Sequence, residues 1–184
     1  MKEKSGDIPT VENEREVFEG KALEGIRVLE MGSLIGAPFC GTLMAEFGAE
    51  VIKIEDPQIG DSGRYFGEKI DAVSSFFAFM ARNKKCITMD LRLEDGQDLF
   101  KKLVPFADVI IENFMAGTLN RWNLGYDVLS KINPNIIVAH VSGYGQYGPY
   151  KDRPAFDRIA TAFAGQDFIT GFPNNPPTRP GGAL

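Results

Sequence analysis

Histidine and cysteine are scarce: the 184 residues hold one His, His140, and two Cys, Cys40 and Cys86. A zinc-type centre of imidazole and thiolate has too few ligands here, and no disulfide framework can be drawn. Both cysteines sit among apolar residues and read as buried free thiols acting as small hydrophobes in a reducing compartment. His140 lies inside I-I-V-A-H-V and reads as a satisfied core or sheet-end histidine rather than a ligand or a base. An excess of positive charge is also missing. Twenty Lys and Arg stand against 25 Asp and Glu, for a net charge of -5 and a pI near 5.0, which argues against a nucleic-acid partner because phosphate contacts need a basic face. No apolar run approaches the roughly 20 residues of a membrane span. The opening M-K-E-K-S-G-D-I-P is too charged for a signal peptide. The expectation is a cytoplasmic protein with no metal, no nucleic acid and no membrane partner.

What is present is an α/β pattern. With 43% hydrophobic residues the chain is long enough for one domain with a real core. Ile26, Val28 and Leu29 read as a buried strand, and Val51, Ile52 and Ile54 as its parallel neighbour. Between them lies a helix with Pro38 in its first turn and Gly48 at its C-terminal cap. The turn before that helix, G-S-L-I-G-A-P over Gly32 to Pro38, matches neither the dinucleotide glycine fingerprint nor the Walker P-loop. A strand, small-residue turn, helix and strand still build a site for a phosphate-bearing ligand, so a nucleotide held in a less common way is expected. A nicotinamide-dependent dehydrogenase is disfavoured.

The alternation continues. Ser74–Ala81 reads as a helix, Cys86–Asp90 as a strand, and Glu94–Val104 as a helix with Leu99, Leu103 and Val104 on one side. Strands follow at Val109–Glu112 and Ile136–Val141, with helices at Tyr126–Ile132 and Asp157–Ala164. The fold class is therefore α/β: a mostly parallel sheet with helices on both faces. Residues 1–22 read as a solvated N-terminal arm, 23–184 as the domain, and Glu55 to Val73 as a loop without regular elements. Gly171 to Leu184 is a proline and glycine loop that turns apolar at Ala183 and Leu184, which reads as a truncated or split chain.

A parallel sheet gathers its strand-end loops at one edge, and several of those loops carry cations. Arg64, Arg82, Lys84, Lys85, Arg92 and Arg121 are candidates for a ligand whose phosphates are spread out, with surface charge or helix capping as the plain alternative for about half of them. Asn113 and Phe114 could bond and stack on a purine or could simply close a turn. S-G-Y-G-Q-Y-G-P, from Ser142, is a tight loop whose tyrosines could equally be packing.

Together, L-E-G-I-R-V-L-E, A-E-V-I-K-I-E, N-K-K-C-I-T-M-D-L, A-D-V-I-I-E-N-F, I-N-P-N-I-I-V-A-H-V-S-G-Y-G-Q-Y-G-P-Y and P-P-T-R-P-G-G-A-L resemble, in order and spacing, the family III CoA-transferases, the group of formyl-CoA transferase and carnitine CoA-transferase. The resemblance runs from about Leu23 to the last residue. It implies a Rossmann-like domain that binds coenzyme A, within an enzyme roughly twice this length that forms an interlocked homodimer and transfers CoA from an acyl-CoA to a carboxylic acid. Carried over by position, the CoA contacts fall on Ile35 and Gly36, on Met89, Asp90, Leu91 and Arg92, on Asn113, Phe114 and Met115, on Arg121, and on Pro154, Ala155, Phe156 and Asp157. Arg92 and Arg121 then face the phosphates. Two positions depart from the pattern. Asp56 stands where the family has a nucleotide-holding Arg, leaving Arg64 or Lys84 to substitute, and Ile35 stands where formyl-CoA transferase has a Gln. The family's nucleophile is an aspartate in a G-D pair after the P-P-T loop, expected about two residues past Leu184, so no catalytic residue is assigned within the chain. Asp157 and Asp167 read as a helix cap and a surface turn. Two alternatives remain: a non-catalytic CoA-binding fragment or subunit, and α-methylacyl-CoA racemase. The racemase moves a proton with a His just before the position of Asp157, whereas this chain reads Ala155-Phe156-Asp157 and a Phe exchanges no proton.

Overall fold

A computed structural model describes residues 20–181. The expected arm over residues 1–22 lies almost wholly outside the described residues, as do Ala183 and Leu184. Strand β1 (Arg27–Glu30) leads through the Gly32 to Pro38 turn into helix α1 (Gly36–Glu46) and strand β2 (Glu50–Glu55). Gly48 has φ +104°, a left-handed conformation that closes the helix and that glycine takes most easily. A 3-10 turn at Ser62–Tyr65 and a two-stranded antiparallel ribbon, β3 (Lys69–Ile70) with β4 (Val73–Ser74), occupy the stretch expected to be an irregular loop. Helix α2 (Ser75–Ala81) follows, capped by the Ser74 hydroxyl accepting from the Phe77 N–H at 3.0 Å. Then come β5 (Lys84–Thr88), α3 (Glu94–Leu103), a 3-10 turn at Val104–Phe106, β6 (Val109–Glu112), α4 (Thr118–Arg121), α5 (Tyr126–Ile132), β7 (Ile137–His140), α6 (Asp157–Phe163) and α7 (Gln166–Ile169).

The five long strands form one parallel sheet in the order β5-β2-β1-β6-β7. Each strand of this sheet before β7 leads through a crossover to the next, and the chain order reverses direction between β1 and β6. That makes a doubly wound sheet with its switch point at those two strands. Successive residues of the central strands point to opposite layers. Val28, Val51 and Ile111 pack with Ala37 and Ala45 of α1, while Leu29 and Ile110 pack with Phe100 of α3, Leu129 of α5 and Leu124. Two-sided burial explains why the central strands read as near-continuous apolar runs.

Three expectations are corrected. Leu99 is half exposed, and Phe100 carries the buried face of α3 instead. Cys86 is exposed, because β5 is an edge strand whose outer residues are uncovered; Cys40 is partly buried. The helical covering is therefore complete over the centre of the sheet and thin at its edges. Among the described residues no helix is long and apolar enough to cross a membrane.

Candidate functional site

The turn after β1 and the E-N-F segment after β6 meet at the switch point, where a doubly wound sheet opens a crevice. The Asn113 amide clamps that turn from both sides: Nδ2 donates to the Ser33 carbonyl at 2.8 Å and Oδ1 accepts from the Ser33 N–H at 2.8 Å. Leu34 next to it has φ +67°, unusual for a branched residue, and its N–H is held by Asp61 Oδ1 at 3.0 Å. Asn113 thus closes a turn, and Phe114 beside it is half-buried against the core. Phe114 meets Trp122 edge-on, with centroids 5.1 Å apart.

Beneath the turn lies a network of buried ions. Lys53 Nζ sits 2.8 Å from Glu30 Oε1, 2.6 Å from Asp61 Oδ2 and 2.8 Å from the Gly32 carbonyl oxygen. Lys84 Nζ takes the other Glu30 oxygen at 2.7 Å and the Pro38 carbonyl at 2.6 Å. Burial would strip the proton from Lys53, but Glu30 and Asp61 outweigh it and hold its pKa above the usual lysine value. For Lys84 burial wins over Glu30 and the pKa falls. Burial also works on Asp61, yet the Lys53 charge and the N–H groups of Gly63 and Leu34 hold its carboxyl below the usual range. Two lysines and two acids from four separate segments therefore fix the carbonyls and amides of one seven-residue turn.

Three cavities open along the carboxyl edge of the sheet. The first, of about 260 Å³, lies past β2 and β5; Met31, Ile54, Met89, Leu91, Phe114 and Trp122 make its apolar walls, and Asp56, Asp90 and Arg92 stand among its polar groups. The second, about 390 Å³, lies over the β1 turn and holds Ile35, Gly36, Asn113, Phe114 and Met115, with Pro154, Ala155, Phe156 and Asp157 opposite. Ser33 and Phe114 line both, so the two form one groove. The third, about 440 Å³, is more polar, contains Arg121, and shares Met115, Ala116 and Lys151 with the second. Every residue proposed from sequence lines one of these cavities except Arg64, Arg82, Lys84 and Lys85.

The cations divide differently from expectation. Lys84 has no exposed side-chain surface, and its ammonium is taken up by Glu30 and Pro38, so it is no free phosphate ligand. Arg64 is held bidentately by Glu55, at 2.7 and 2.8 Å, and its guanidinium lies 3.9 Å from the Phe77 ring centroid. Arg92 is gripped by Asp90, at 2.8 Å from each oxygen, and by Asp56 Oδ2 at 2.8 Å. The Asp90 hydrogen bonds push the Arg92 pKa up and hold the Asp90 carboxyl low. Arg82 and Lys85 pair with Glu46 and Glu50. Arg121 bonds the Thr118 hydroxyl at 2.7 Å and has no carboxylate partner among the described residues. Asp157 at the start of α6 pairs with Arg179 at 2.7 Å.

Sequence reasoning passed over Lys151 and Arg153, which line the second cavity from the K-D-R-P end of the glycine loop; their nearness to Pro154 was the available signal. It also passed over Glu112, whose register partner across β6 and β7 is His140. His140 Nδ1 and Glu112 Oε1 are hydrogen-bonded, and the other Glu112 oxygen accepts from the Phe114 N–H at 2.5 Å. Burial raises the Glu112 pKa against those bonds. The expected sheet-end histidine with a satisfied partner is what the structure shows. Among the described residues no cluster of three or more metal-ligating side chains occurs.

Residues 23–184 match the family model for CoA-transferase family III. Over 162 residues the chain is 49% identical to the succinyl-CoA–D-citramalate CoA-transferase of Chloroflexus aurantiacus, covering 88% of this chain and 40% of that protein. Against the human succinyl-CoA:glutarate CoA-transferase it is 37% identical over 165 residues, 89% of this chain and 38% of the relative. A CAIB/BAIF family protein from Brucella suis superposes with a TM-score of 0.82 at 34% identity, over 89% of this chain and 44% of that one. The chain spans about two fifths of the length of the curated relatives it matches. On the match over residues 23–184, at such identities and with the same α/β sheet, the chain belongs to CoA-transferase family III.

Proposed function

We propose that this chain forms the CoA-binding part of an enzyme that moves coenzyme A between an acyl-CoA and a free carboxylic acid. The observation that carries it is the groove at the switch point, where a largely apolar cavity of about 260 Å³ runs, through Ser33 and Phe114, into a larger one under Pro154 to Asp157. A long ligand with an aromatic head and an extended arm fits such a groove. Arg121, Lys151 and Arg153 along the second and third cavities are the cations left for its diphosphate. In this reading residues 23–184 are one CoA-binding unit of a longer enzyme that pairs as an interlocked homodimer, and the attacking aspartate and the second domain lie outside these residues. The aspartate oxygen bonds the acyl carbon as the thioester C–S bond breaks and CoA leaves as thiolate; the thiolate attacks the aspartyl carbonyl, releasing the donor acid as carboxylate; the acceptor carboxylate displaces the thiolate from that carbonyl, and the thiolate takes the new acyl carbon, freeing the aspartate, so one hard transfer becomes several easier ones.

Calorimetric titration of the full chain should show saturable heat with CoA and none with NAD; saturable NAD binding would sink the proposal. Several relatives carry succinyl-CoA and a dicarboxylate in their names, so that pair is the first to assay in the intact enzyme.

A further inference from the structure

We propose that the cavity past β2 is built for an adenosine whose ribose carries no phosphate against Asp56, so that the 3′-phosphate of CoA adds little to binding and Asp56 sets that preference. The inference rests on the CoA reading above. Asp56 is the first residue after β2 and lines the cavity. An acid at that place in a doubly wound sheet accepts from a ribose hydroxyl, whereas a phosphorylated ribose calls for a cation there.

The charges around the cavity support the same conclusion. The Lys53–Asp61 and Arg64–Glu55 pairs cancel locally. What remains is Asp56–Arg92–Asp90, two carboxylates on one guanidinium, and this trio has a net charge of minus one. Arg92 already spends its Nε and Nη2 on both Asp90 oxygens and on Asp56 Oδ2. Asp56 is fixed in turn, because its Oδ1 accepts from the N–H of Gln58 at 2.8 Å and of Ile59 at 3.3 Å. A phosphate dianion entering here meets a negative trio and could take the guanidinium bidentately through Nε and Nη2 only by displacing Asp90. A ribose hydroxyl only needs to donate to a carboxylate that is already oriented.

The test is calorimetric titration of the full chain with CoA and with 3′-dephospho-CoA, in the wild type and in Asp56→Asn. Asparagine keeps an oxygen for the Gln58 and Ile59 amides while removing the charge. The wild type should bind the two ligands within about threefold of each other, and Asp56→Asn should tighten CoA by about five- to tenfold while leaving 3′-dephospho-CoA unchanged or weaker. A wild-type preference for CoA of about tenfold or more, or a variant in which both affinities move together, overturns the inference and leaves the CoA reading standing. Absence of binding by both ligands overturns the CoA reading and this inference with it.

Discussion

Glu30 joins two ammonium groups, one on each carboxylate oxygen, with no exposed surface of its own. Removing one partner of such a set leaves uncompensated charge in the core, so Lys53→Met should lower the unfolding free energy by about 3–5 kcal/mol, measured by urea titration. A loss under about 1 kcal/mol would mean that water reaches the site. Sequence reading placed Lys84 among ligand cations in a loop at the carboxyl edge, but Lys84 opens β5 and so lies at the amino end of that strand. That reading could not show that the side chain turns inward, since that depends on Glu30 and the Pro38 carbonyl, 54 and 46 residues away. Arg121 is the contrasting case, exposed beside the third cavity. Arg121→Ala should weaken CoA binding by about 1.5–3 kcal/mol if it donates a charged hydrogen bond to phosphate, and an unchanged affinity in the same titration would remove it from the site.

Helix α1 shows how an element is placed by residues outside it. It lacks a side-chain N-cap bond and acidic residues in its first turn, so its start is fixed by Asn113, Asp61, Lys53 and Lys84 acting on the turn before it and on Pro38. Gly41 lies on its inner face, where a Cβ would come within 2.1 Å of Glu30 Oε2. Gly41→Ala should gain helix propensity yet destabilise the protein by about 1–3 kcal/mol through overpacking against a charged group, read as a fall in the midpoint of chemical denaturation. Helix α3 was legible as an amphipathic segment, but Leu99 and Phe100 are adjacent. Which of the two faces the sheet is decided by the approach of Val104 and Leu129, not by the period of the pattern.

For the whole molecule, pH should act mainly through carboxyls that pair only in the folded state. Hydrogen bonds from Lys85 and Arg27 hold the Glu50 pKa at about 2, against an ordinary value of 4.5. Glu55 and Asp61 are also low, because their ion pairs outweigh burial. Stability from such groups is full above their unfolded values and is lost as pH falls through the folded ones. Glu112 has the opposite sign, since burial raises its pKa. With Asp90, held low by Arg92, four groups against one predict a melting temperature that falls steadily below about pH 4.5; an unchanged value down to about pH 3 would show that these pairs contribute nothing. At the same scale, Phe39, Leu43 and Phe47 on α1 and Phe163, Phe168 and Phe172 near the carboxyl edge are exposed. Apolar surface of that kind marks contact regions.

The order of strands and helices, the parallel sheet, the first-turn proline, the Gly48 cap and the family were all legible in the sequence. Apolar periodicity and local backbone chemistry are properties of neighbouring residues, and motif order survives in a linear string. Tertiary structure alone decided which cations are free. Lys84, Arg64 and Arg92 carry the same charge in the sequence as Arg121, yet each meets a carboxylate in the fold, and in the two guanidinium cases the grip is bidentate. It also decided that Asn113 holds a turn and that Asp56 lines a cavity of about 260 Å³. Electrostatic partners and cavity walls come from segments far apart in the chain, and only packing brings them within a few ångströms.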